Sequence, residues 1–104
     1  MKPPPQFRLK LTPTAEARWK ELEKSDAAKY KKVTKALRFL TNNPAHPGLH
    51  AHQWDVLKGK APDGGDMWTA YVENETPSAW RLFYFYDSRQ SEPTIYVTLI
   101  EPHS

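Results

Sequence analysis

The sequence predicts an α+β domain: an N-terminal strand, a two-helix hairpin, and a three-stranded antiparallel meander, all in one sheet with the helices on one face. Three observations carry this. Phe7, Leu9 and Leu11 alternate with Arg8, Lys10 and Thr12, the period-two pattern of a strand with one buried face. Apolar residues from Ala15 to Leu40 then recur every three or four positions, the helical period. The C-terminal third holds strand-length apolar runs separated by short turn-rich links. At 104 residues the chain can bury one core and not two. A single domain over 1–104 is expected, with residues 1–5 as a flexible, Pro-rich N-terminus.

The first helix is expected over about 13–24. Thr12 is its cap, Pro13 sits in the first turn, and Ala15, Trp19 and Leu22 form the stripe. Ser25-Asp26 caps a second helix, in which Tyr30, Val33, Leu37 and Leu40 share a face until Thr41-Asn42-Asn43-Pro44 ends it. Trp19, Leu22, Tyr30, Val33, Leu37 and Leu40 should point toward the sheet. The break between the helices is short, which favours an antiparallel hairpin. Residues 43–66 carry Pro44, Pro47, Gly48, Gly59, Pro62, Gly64 and Gly65, so most of that stretch should lack regular structure. Strands follow at about 67–73, 79–87 and 94–101. Trp80 to Tyr86 is apolar at every position but Arg81, as befits a central strand.

Composition excludes several classes. There is no cysteine, hence no disulfide, thiolate metal site or Cys nucleophile. Apolar runs fall far short of the roughly 20 residues needed to span a bilayer, so no membrane partner is expected. The N-terminus lacks a signal-peptide apolar stretch, and a cytoplasmic location is the default. Four Trp, five Tyr and four Phe supply enough contact area to build a core from few side chains. Net charge is +3, concentrated in Arg18, Lys20, Lys24, Lys29, Lys31, Lys32, Lys35 and Arg38 against Glu21, Glu23 and Asp26. Such a surface attracts RNA or an acidic protein; a plain solvated helix face is the alternative.

Arg81 is the most informative residue. An arginine in an aromatic and aliphatic strand must reach a carboxylate, a phosphate or water, because an unpaired buried guanidinium is costly. It either binds a phosphate or forms a salt bridge to Glu73 or Glu101. His46, His50 and His52 cluster in the long loop, but no nearby carboxylate motif completes a metal site. Neither a metal nor a cofactor is expected.

Three stretches carry a family resemblance: Pro47-Gly48-Leu49-His50-Ala51-His52 followed by Leu57-Lys58-Gly59; Trp68 to Asn74; and Ala79-Trp80-Arg81-Leu82-Phe83-Tyr84 with a last strand ending near His103. In these the chain resembles the RelE/ParE toxin superfamily, in its RelE/YoeB/HigB-like branch. The resemblance implies a type II toxin that cleaves mRNA, associated with the ribosome, and is held in check by a cognate antitoxin. It places the catalytic roles on Arg81, holding the scissile phosphate, and His103, protonating the leaving 5′-oxygen. His50, His52, Lys58 and Lys60 would contact RNA or line the active groove, a plain surface loop being the alternative. The chain departs from the pattern where relatives carry Lys or Arg on the first meander strand, having Trp68-Thr69-Ala70-Tyr71 instead. Two alternatives therefore stay open: a ParE-like inhibitor of DNA gyrase, and an inactive relative kept for interaction. Tyr71, Tyr84, Tyr86 and Tyr96 could stack on bases or act in proton transfer, although strand tyrosines more often pack in the core or across strands.

Overall fold

The structure, a computed structural model, describes residues 7–53, 66–73, 79–87 and 89–102. Strand β1 (Arg8–Leu11) leads into helices α1 (Pro13–Ser25) and α2 (Ala27–Asn42), then a 3₁₀ turn (Pro47–Leu49) and strands β2 (His52–Gln53), β3 (Trp68–Tyr71), β4 (Trp80–Tyr86) and β5 (Thr94–Pro102). Both helix starts are set by the expected caps. Thr12 Oγ1 accepts from the Ala15 amide at 3.2 Å, and Asp26 Oδ1 accepts from the Lys29 amide at 3.1 Å. Each satisfies an amide that the first turn leaves without a partner. Helix α2 stops as the Asn43 amide donates to the Phe39 carbonyl at 2.7 Å, just before Pro44.

The five strands form one sheet in the order β1-β5-β4-β3-β2. The meander is antiparallel throughout, whereas β1 lies parallel to β5. A parallel neighbour needs a long crossover, and the intervening helices put β1 at the sheet edge. The short β2 was not expected in a Pro- and Gly-rich stretch. Its pairing of His52 with Thr69 and Gln53 with Trp68 satisfies backbone groups that the outer edge of β3 would leave open.

The helices cover one face. Ala15, Leu22, Val33, Ala36, Leu37 and Leu40 pack with Ala70, Leu82, Tyr84, Ile95, Val97 and Ile100 in a single buried cluster. Trp19 and Tyr30 pack against the margin of this cluster, half-buried, and stack on each other with centroids 5.6 Å apart. Trp19 Nε1 also donates to Thr34 Oγ1 at 3.0 Å, so this pair closes the seam between the helices.

In β5 the core residues Ile95, Val97 and Ile100 break strict alternation. A bulge explains the break: Phe83 pairs with Leu99, Tyr84 with Val97, and Thr98 is the extra residue. It returns Glu101 to the face that carries Arg81, where the two stand directly opposite.

Candidate active site on the sheet face away from the helices

Because side chains alternate along a strand, Leu82 and Tyr84 in the core leave Arg81, Phe83 and Phe85 on the far face. Arg81 is in register with Glu101 on β5 and with Tyr71 on β3. Its guanidinium carbon lies 4.0 Å from the centroid of the Tyr71 ring, a cation–π contact. Nε of Arg81 is buried and has no hydrogen-bond partner among the described residues. Among the described residues Arg81 forms no ion pair; Glu101 faces it in register without closing one.

From β2 and the residues just before it, two imidazoles reach the same tyrosine. The His50 ring lies 5.0 Å from Tyr71, tilted by 34°, and the His52 ring meets Tyr71 edge-on at 6.3 Å. Local backbone sets this placement. Leu49 is buried and anchors the 3₁₀ turn, and His50 follows in the left-handed region with φ 47°, which swings the chain into β2. His52 Nδ1 stands 2.8 Å from the His50 carbonyl oxygen. The result is a row across the sheet of Glu101, Arg81, Tyr71 and His50, with His52 beside it.

No family model matches the sequence, and no curated protein matches it. Solved structures do. The backbone is similar to a YoeB/ParE toxin from Agrobacterium tumefaciens, with a TM-score of 0.69 and 15% identity over 94% of this chain and 100% of that one. It is similar to a chain of the archaeal RelE–RelB complex from Pyrococcus horikoshii OT3, with a TM-score of 0.64 and 15% identity, covering 93% and 94%. A third is the heterotetrameric YoeB–YefM toxin–antitoxin complex from Staphylococcus aureus, with a TM-score of 0.62 and 19% identity, covering 94% and 98%. The chain has the RelE/ParE/YoeB-like toxin fold.

On this RelE/ParE-like fold, Arg81, His50 and His52 come together, and Tyr71 is what joins them. Lys58, Lys60 and His103 lie outside the described residues, as do the Leu57-Lys58-Gly59 stretch and the Pro-rich residues 1–5. From the sequence, Tyr71 was one of four strand tyrosines that could stack on bases, with core packing favoured; supporting Arg81 was not foreseen. Its signal was available in the alternation of β3: Trp68 and Ala70 belong to the core, which puts Thr69 and Tyr71 on the face of Arg81. The other tyrosines divide differently. Tyr84 is fully buried among the helices, and burial pushes its phenol well above the usual range. Tyr86 packs against Phe7 and Trp68, and Tyr96 stacks on Phe85.

Glu73, one of the two carboxylates considered for Arg81, is committed elsewhere. It accepts from Lys29 at 2.5 Å, Lys32 at 3.0 Å and the Trp80 amide at 3.3 Å. Burial alone would raise its pKa, but these hydrogen bonds prevail and hold the carboxyl down to about 2. Glu73 thereby ties α2 to the β3–β4 end of the sheet and leaves Arg81 to other partners.

Proposed function

We propose that this chain is the toxin of a type II toxin–antitoxin pair and cleaves ribosome-associated mRNA in the cytoplasm without a metal ion. The observation that carries the reading is Arg81: a guanidinium whose carbon lies 4.0 Å over an aromatic ring, its Nε buried and without a hydrogen-bond partner among the described residues, with two imidazoles against the same ring. A planar fork that no described carboxylate engages is suited to a phosphate. In this reading the RNA 2′-hydroxyl attacks the adjacent phosphate. Arg81 stabilises the charge gathering on the phosphoryl oxygens. His103 gives a proton to the departing 5′-oxygen. His50 and His52 line the RNA path beside Tyr71, and Lys58 and Lys60 add phosphate contacts.

The partner in this reading is an antitoxin. Two of the similar solved structures are complexes, RelE–RelB and YoeB–YefM. The exposed Lys24, Lys31, Lys35 and Arg38 of this chain offer an acidic segment a complementary surface.

The test is to incubate the purified chain with mRNA programmed into ribosomes and, in parallel, with DNA gyrase and a plasmid. Cleavage ending in a 2′,3′-cyclic phosphate is expected, with supercoiling unaffected. Inhibited gyrase beside intact RNA would contradict the proposal and favour a gyrase-directed toxin.

A further inference from the structure

Cleavage by an RNA 2′-hydroxyl needs two proton transfers, one off the attacking oxygen and one onto the leaving oxygen. Arg81 and His103 account for the charge and the second proton. Nothing so far takes the first.

The sheet face offers few acceptors. Glu73 is hydrogen-bonded by Lys29 and Lys32. Glu101 lies on the other flank of Arg81 from Tyr71, His50 and His52. His50 presents its ring to Tyr71, with no described contact that selects which nitrogen carries the proton. His52 is different. Its Nδ1 lies 2.8 Å from the His50 carbonyl oxygen, and a carbonyl can only accept. His52 therefore donates through Nδ1–H, and the neutral ring has its lone pair on Nε2. The ring is exposed and lies edge-on to the tyrosine that supports Arg81.

We infer that His52 is the base of the reaction, taking the 2′-hydroxyl proton on Nε2 while the His50 carbonyl fixes its tautomer and orientation. The inference rests on the RNA-cleaving reading above. The 2′-O–H proton passes to Nε2, and the 2′-oxygen bonds to phosphorus. The bond from phosphorus to the 5′-oxygen breaks, and that oxygen takes a proton from the acid. The products are a 2′,3′-cyclic phosphate and a 5′-hydroxyl, after which His52 returns its proton to water. The arrangement follows the logic of any acid–base pair in which a third group holds the base in one tautomer.

The test uses the full chain and two synthetic mRNAs programmed into ribosomes. One has the natural linkage at the cleavage site, and the other has sulfur in place of the bridging 5′-oxygen. A thiolate leaves without being protonated, so the sulfur substrate rescues a lost acid and leaves a lost base unrescued. His52→Asn is the informative variant: its side-chain amide can still donate to the His50 carbonyl, yet it has no basic nitrogen. His52 lies exposed in a two-residue edge strand, and an unchanged circular dichroism melt checks the fold. Expected is a loss of about 10²–10⁴ in single-turnover rate on both substrates. His52→Asn cutting the natural substrate at the wild-type rate would overturn the role, as would a defect that vanishes on the sulfur substrate. Either result leaves the RNA-cleaving reading standing. A wild-type chain that cuts neither substrate would remove that reading and this one together.

Discussion

Arg81 and Tyr71 occupy directly opposed positions on adjacent antiparallel strands, and the arginine lies over the tyrosine ring at 4.0 Å. Directly opposed residues on one face are the closest cross-strand neighbours a sheet offers, so the sheet register itself aims the guanidinium. Tyr71→Phe should keep the ring and nearly all the activity. Tyr71→Leu should cost about 0.5–2 kcal/mol of transition-state stabilisation, the range of a cation–π contact, seen as a lower single-turnover rate. Equal rates for Tyr71→Leu and wild type would mean that the ring does not support Arg81.

Glu73 predicts a pH dependence of stability. Its folded-state pKa of about 2 lies below the ordinary 4.5, so the unfolded chain takes up the proton first as pH falls. The stabilisation is therefore fully present above about pH 4.5 and is lost as pH drops toward 2. Asp87, held low chiefly by Arg89, works in the same direction. Urea midpoints measured across this window should fall more steeply for wild type than for Glu73→Gln. Parallel curves would show that the Lys29 and Lys32 contacts contribute nothing.

The exposed cations of α2 predict how a partner arrives. Charges on the surface steer encounter and are screened by salt. Stopped-flow association with the proposed antitoxin should slow as ionic strength rises, and Lys35→Glu with Arg38→Glu should slow it further at low salt. Rates that stay flat across ionic strength would take steering out of the account.

Much of the fold was legible because its signals are local. Thr12 and Asp26 announce helix starts through their own side chains, and the changing apolar period separates β1 from α1. What was not legible depends on distant partners. That β1 would lie parallel to β5 is decided by how the hairpin packs, and β2 exists only because β3 has an open edge. Spacing placed Trp19 and Tyr30 toward the core, against which they do pack, but gave no sign of their stacking on each other between the helices. At the site, Arg81 stood out as a charge in an apolar strand. Its relation to Tyr71, His50 and His52 required the register of three strands and the left-handed turn at His50, none of which a single sequence displays.

The central claim is that Arg81 holds the phosphate of an RNA being cut, and its most direct test is single-turnover cleavage of ribosome-bound mRNA by wild type, Arg81→Ala and Arg81→Lys. Each variant must first show a thermal transition like that of the wild type, since Arg81 is half-buried. The account predicts that Arg81→Ala loses about 10²–10³ in rate, the usual cost of removing one charge-stabilising donor. Arg81→Lys should recover part of that loss, since it restores the charge without the planar fork. A folded Arg81→Ala that cuts at the wild-type rate would contradict it.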